Sequence, residues 1–359
     1  TFDNDMNWGS SYSDTPCISK TFIWKGYTDN NWNNGSNWDG NTAPGSGDQV
    51  IIDTETHAPE LSSTVFCHQL IINEGKDILF ANNSGKIKLT GDFINLGNFS
   101  SEKGLIHFAG TSNQYIKGSA TPEFYKLKVN TNDSVRMLTD VNMLGPIIMT
   151  QGVLDFNNKE VTLLSNENTT GSIGEIKSAA EIVGDTINFQ RYYPAGPGSW
   201  RMLCSPIKDA TFEQWNDDFP TTGFTGSDYP TYPSAQNPWS NIRYYDETFV
   251  SGDEGDMNFG FQSIDNITDV IGNERGYFVY FIPGPTLIEM RGEFHKHDQS
   301  IDLEHTVSGL DIYNDGWNLL ANPYPSAIDW DDDLGFTKTG LNDAVYAYDP
   351  HLGQYSSYV

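Results

Sequence analysis

From Cys67 to Leu164 the chain sets out short apolar pairs at nearly even spacing. They are Leu70/Ile72, Ile87/Leu89, Ile106/Phe108, Leu127/Val129, Met143, Ile147/Met149, Leu154/Phe156 and Val161/Leu163. Most alternate with polar residues, as in Ile87-Lys88-Leu89 and Tyr125-Lys126-Leu127-Lys128-Val129, which is the period of a strand with one buried face. Clusters such as Asn82-Asn83-Ser84-Gly85, Gly97-Asn98 and Asn130-Thr131-Asn132-Asp133 supply turns between them. This spacing fits either an all-β sandwich or a coil of stacked rungs. The pairs recur in one direction without Asn-Gly hairpin signals, which favours a right-handed parallel β-helix of about four to six rungs, from about residue 45 to 185. Ile87, Leu89, Phe108, Leu127, Val129 and Leu154 are expected to point inward and stack on equivalents one rung away. No helix-length 3.6-residue periodicity is present, so less than ~5% helix is expected.

Around the ladder the texture changes twice. Residues 1–17 are polar and bury little, and read as a linker or the tail of an upstream segment. Trp24, Trp32 and Trp38 then stand among Asn and Gly. They are either exposed rings for stacking sugars or, the favoured reading, a plug for the open end of the coil. The first domain is thus 18–188, a β-helix with a Trp-rich N-terminal cap. Beyond it Pro, Tyr and Trp become frequent, and 189–359 reads as a β-sandwich built on a duplication. Trp200, Leu203, Pro206 and Ala210 line up with Trp317, Leu320, Pro323 and Ala327. Trp215 and Trp330 follow, and Tyr245-Asp246 matches Tyr348-Asp349. Such copies pack as pseudo-symmetric halves. The strand Gly276–Phe281 has no counterpart before Val359, so the sandwich is expected to be truncated at its C-terminal end.

The 359 residues carry 20 Lys+Arg against 48 Asp+Glu, a net charge of −28. That balance repels phosphate backbones and anionic lipid, so neither nucleic acid nor membrane is an expected partner. No stretch is long and apolar enough to span a bilayer. The chain begins at Thr1 without a signal-peptide pattern, as expected of a processed or excised segment. Of the three cysteines, Cys17 and Cys67 are placed to clamp the N-terminal cap as a disulfide, or else are two small buried side chains. Cys204, in an apolar run with no His near it in sequence, reads as an inert buried thiol.

Several phrases resemble the large exported surface proteins of Bacteroidota that leave the cell by the type 9 secretion route. In the first half they are Trp24-Lys25-Gly26, Asn37-Trp38-Asp39, Gly47-Asp48-Gln49-Val50-Ile51-Ile52, Leu89-Thr90-Gly91-Asp92-Phe93-Ile94-Asn95-Leu96-Gly97 and Ile106-His107-Phe108-Ala109-Gly110-Thr111. In the second half they are Gln190-Arg191-Tyr192-Tyr193-Pro194, Arg275-Gly276-Tyr277 and, most specific, the run from Trp317 to Trp330. The resemblance covers nearly all of Phe22 to Val359. It implies an extracellular or cell-surface location on the outer face of the outer membrane. It also implies contact with the secretion machinery through a C-terminal sorting domain that this sequence does not contain. It brings no catalytic residues. Asp133-Ser134-Val135 and Asp185-Thr186-Ile187 resemble the O-glycan acceptor of exported proteins in this phylum, making Ser134 and Thr186 candidate modification sites.

Candidate chemistry is sparse. The ladder's Lys86, Lys88, Lys126 and Lys128 alternate with core residues and read as a solvated face, and no Asp/Arg cluster falls within one rung-length. His295 and His297 would share one side of a strand, a transition-metal geometry weighed against plain polar surface. Asp253, Glu254 and Asp256, together with Asp329, Asp331 and Asp333, are weak candidates for a structural Ca²⁺; neither group has EF-hand spacing. No other cofactor is expected. The reading is a non-enzymatic secreted or cell-surface protein, adhesive or structural, with surface glycans or other cell-surface proteins as partners. The alternative is a carbohydrate-binding or polysaccharide-degrading exoprotein using the coil face or exposed Trp and Tyr.

Overall fold

The computed structural model of the chain describes residues 18–53, 56–249, 260–307, 315–332 and 335–358. Strand accounts for 43% and helix for 2%. The first half is a parallel β-solenoid of about 5 turns, whose strands stack into three faces. One face begins Thr21–Trp24, Gln49–Ile52, Gln69–Ile72, Phe93–Asn95 and Gln114–Gly118, in parallel register. A second begins Thr64–Cys67, Lys86–Leu89 and Leu105–Phe108. Two long strands, Lys126–Met137 and Pro146–Asp155, then turn the corner unbroken, their first halves on the second face and their ends on the first. Gly152 makes one of these corners at φ 87°, where a Cβ would lie 2.7 Å from the Thr131 carbonyl oxygen. The third face carries Glu123–Phe124, Val141–Met143, Val161–Leu163 and Thr186–Tyr193.

Alternation is what makes the coil close. Ile87 stacks on Ile106, Ile106 on Leu127, and Leu127 on Ile147, while Leu89, Phe108, Val129 and Met149 form the next column. None of these side chains keeps any exposed surface. Each such burial stabilises by on the order of 1.5–3 kcal/mol, and the backbone amides are satisfied by the neighbouring rung. The six residues expected to face inward do so. The ladder starts earlier than residue 45, however. Thr21–Trp24 is itself the first rung, because Phe22 and Trp24 alternate inward above Val50 and Ile52.

Trp24, Trp32 and Trp38 plug that end. All three are buried, with the Trp38 ring centroid 4.8 Å from Trp32 and 4.9 Å from Trp24. Two of the indole N–H groups are used internally, Trp38 Nε1 donating to the Trp32 carbonyl and Trp24 Nε1 to that of His57, each at 2.8 Å. Rings buried this completely offer sugars no surface, so the plug reading replaces the sugar platform.

The far end of the coil is met on all three faces. Thr186–Tyr193 is covered along its whole length by the antiparallel strand Thr286–Glu293. On the second face Ile173 N–H donates to the Pro325 carbonyl at 2.9 Å. On the first, Lys296 Nζ donates to the carbonyls of Ile182 (3.3 Å) and Gly184 (3.0 Å). Thr186–Tyr193 extends the third face through Asn188 and Phe189 and also opens the second unit. The change of texture near residue 188 therefore falls inside one strand that both units share.

The second unit holds a four-stranded antiparallel sheet in the order Ser199–Leu203, Tyr277–Phe281, Ile242–Tyr245, Phe261–Ser263. It packs on the shared strand pair through Tyr193 and Phe281, with ring centroids 5.2 Å apart, and through Trp215, whose indole N–H meets Met290 Sδ at 3.3 Å. Trp215 sits in the one-turn helix Glu213–Asn216. A separate hairpin joins Val345–Asp349 to Gln354–Tyr358.

The duplication is only partly expressed. Trp200 and Leu203 lie in a strand, and Leu203, Pro206 and Ala210 are buried. Pro323 is buried too, but Trp317–Leu320 forms no strand beyond a single bridge from Leu320 to Arg275, and Leu320 stays half-exposed. The reason lies in backbone pairing. Tyr277–Phe281 stands between the first Trp strand and Ile242–Tyr245 and satisfies both, whereas among the described residues Val345–Asp349 pairs only with Gln354–Tyr358.

Candidate functional site

Where that pairing is missing, an aromatic cleft of about 730 Å³ opens between the four-stranded sheet and the hairpin. Phe261, Phe278, Trp317, Trp330, Tyr346 and Tyr355 wall it. The sheet supplies one side because Phe278 alternates outward and contacts Phe261 at 5.1 Å, Tyr348 at 5.4 Å and Tyr355 at 6.4 Å between centroids. The other side comes from Trp317, edge-on to Tyr346 at 5.1 Å. Glu247 holds the Trp317 approach in place: its buried carboxylate accepts the N–H groups of Thr306 and Gly316. Trp330 is fixed by its indole N–H on the Asp343 carbonyl at 2.8 Å, with Lys338 Nζ 4.5 Å from its ring. Burial raises the pKa of the Tyr245 and Tyr355 hydroxyls, so both remain O–H donors at neutral pH. Rings with a few donors at their rim suit stacking against sugar or apolar faces.

The residues singled out from sequence are dispersed. Cys17, Asp253, Glu254, Asp256 and Asp333 lie outside the described residues. Cys67 points into the coil beneath Leu89, fully buried, and burial raises its thiol pKa. Asp329 accepts the Asp331 N–H at 3.3 Å on an exposed turn, and Tyr358 donates its hydroxyl to Asp331. Among the described residues, no three His, Cys, Asp or Glu side chains converge as metal ligands. His295 and His297 do not share a strand face, because the strand stops at Glu293 and Lys296 is drawn to the coil rim. Ser134 donates to Asn113 Oδ1 at 2.6 Å, while Thr186 is exposed at the head of the shared strand.

Register, which sequence alone did not give, assembles a second feature on the coil. Lys88, His107 and Lys128 are consecutive partners across rungs, and Lys86, Leu105 and Lys126 form the adjacent outward row. Phe66 precedes Lys88 and Ile148 follows Lys128 in the same row. No ion pair is formed by any of these four lysines among the described residues.

These features define a class: a plugged parallel β-solenoid continuous with an antiparallel, aromatic-rich β unit. In comparison with known proteins the chain matches no family model, no curated protein and no solved structure. No helix among the described residues is long and apolar enough to cross a membrane.

Proposed function

We propose that this chain is a non-enzymatic secreted or cell-surface protein with an adhesive or structural role. In this reading it is exported by the type 9 secretion route as a substrate of that system, and it stands on the outer face of the outer membrane. The observation that carries the reading is the joint at Thr186–Tyr193, a single strand hydrogen-bonded to both units. A flexible tether would let the second unit swing, whereas this joint holds it at the end of a stiff spacer, as presentation of a binding surface requires. The test is retention of protein-coated beads on cell and glycan surfaces under flow, with reducing-sugar release assayed in parallel. Retention without release supports the reading, and release from any polysaccharide overturns it. Secretion of the full-length protein by its native host, with and without the type 9 pore, tests the export route.

The aromatic cleft favours carbohydrate binding as a second reading, since Trp317, Tyr346 and Tyr355 present rings to solvent-accessible space. Trp317→Ala and Tyr346→Ala should then abolish binding on a glycan array while leaving the melting temperature of the coil unchanged.

A further inference from the structure

The protein carries a net charge of −28, yet one face of its coil is basic. Lys86 and Lys88 stand on one rung and Lys126 and Lys128 two rungs further, with Leu105 and His107 on the rung between. Adjacent rungs lie about 4.8 Å apart, so Lys88 and Lys128 are separated by roughly 9.6 Å, as are Lys86 and Lys126. At the centre is His107, which strand alternation turns to the outer surface between inward Ile106 and Phe108. It is only 9% exposed, and its Nε2 is buried without a hydrogen-bond partner among the described residues. Burial first, and then the charges of Lys128, Lys88 and Lys86, lower its pKa to about 4. No carboxylate offsets those charges at the ring. Phe66 and Ile148 give the row an apolar body at each end.

We propose that this lysine row is a binding site for an acidic polysaccharide, a linear glycan bearing one carboxylate or sulfate on every sugar or every second sugar. The inference rests on the adhesive reading above and names its ligand class. The cations repeat along the coil axis at a polymer-like interval, the flanking apolar side chains suit the faces of sugar rings, and no carboxylate among the described residues competes for the charge of the row at His107. Nucleic acid fits worse. Duplex DNA carries one charge per about 1.7 Å of axis, so four lysines would leave most phosphates facing a strongly acidic protein.

The test uses alginate and chondroitin sulfate as probes, dextran as the neutral control and duplex DNA as the competing polyanion. Affinity electrophoresis of the wild-type chain is compared with Lys88→Glu/Lys128→Glu and with Lys20→Glu, an exposed charge control on another face. Binding to at least one acidic glycan is expected, weakening with salt and falling by roughly tenfold or more in the double variant, as when two cation–anion contacts become repulsions. Lys20→Glu should bind like wild type. Because all three lysines are outside the core, circular dichroism should report the same fold for each variant. The His107 imidazole, followed by NMR, should titrate at higher pH with bound glycan, since added anion favours the charged ring. The proposal is overturned if wild type binds neither acidic glycan, if the double variant binds as well as wild type, or if DNA binds as tightly as the glycan. Bead retention that survives in the double variant would remove this face and leave the adhesive reading standing. Absence of wild-type retention on every surface would remove that reading itself.

Discussion

The thiol of Cys204 donates to the carbonyl of Asn322 at 3.4 Å, across 118 residues of chain. This contact joins the two tryptophan–proline phrases directly, one strand end lying against its own copy. Met202 adds a second link, its sulfur meeting the N–H of Tyr348 at 3.2 Å. The second phrase is thus held by the first through side chains, where a sheet would have used backbone.

Cys204 should therefore be chemically quiet. Burial raises its thiol pKa, and the same is true of Cys67 within the coil. Iodoacetamide at neutral pH followed by peptide mapping should leave both unmodified in the native protein and label both in denaturant. Rapid native labelling of Cys204 would mean that the two phrases separate in solution.

Leu127 lies between Ile106 and Ile147 with no exposed surface. Leu127→Asp should unfold the coil, because an unpaired carboxylate there costs more than about 4 kcal/mol. The milder Leu127→Ala should cost ~2–5 kcal/mol in urea denaturation followed by circular dichroism. A wild-type melting temperature for Leu127→Asp would show the register to be wrong.

The plug makes a separate prediction. Trp38 is packed against Trp24, Trp32 and Phe22 and spends its N–H on Trp32. Trp38→Ala should destabilise by about 3–5 kcal/mol, since it opens a cavity at the end of the core. Glycan binding at the lysine row should survive in the folded fraction.

Asp218 gives a pH dependence. Burial, with the nearby charges of Asp217 and Glu289, pushes its carboxyl up to about 7, even though Oδ2 accepts the Glu289 N–H at 2.8 Å. An acid whose folded pKa is raised holds its proton longer in the native state. Its contribution is therefore present at low pH and is lost as pH rises from about 4 to about 7. Asp218→Asn removes that loss and should raise stability at neutral pH by ~1 kcal/mol or less, because the half-exposed site is screened. Melting temperatures of both proteins across this range should converge at low pH and diverge above it.

How much of this was legible follows from where the information sits. The inward residues of the coil announce themselves by alternation, and Ile87, Leu89 and Leu127 needed no more than that. The long strand Lys126–Met137 read as separate short pieces because Asn130–Asp133 looks like a turn, whereas the backbone rounds the corner there with register shifts and stays within the strand, as it does in Pro146–Asp155. Thr186–Tyr193 gave no sign that Thr286–Glu293 would pair with it, since so distant a partner leaves no local trace. The lysines were visible as a polar face, but only register sets Lys88 against His107 and His107 against Lys128. The repeated phrase was legible, but the aromatic cleft beside it was not. Its walls depend on side chains that no periodicity selects.

A parallel stack has no intrinsic reason to stop, since its last rung offers the same bonds as every earlier one. Here every exit is blocked by something that cannot be repeated: an ammonium at Ile182 and Gly184, a proline carbonyl at Ile173, and a strand of opposite direction along Thr186–Tyr193. At the other end the tryptophans close the core. Splicing a second coil onto the last rung would break the contacts that Lys296 and Pro325 make within the chain. The far end of the coil is therefore marked within the chain itself, and its length on that side is set by the unit that follows.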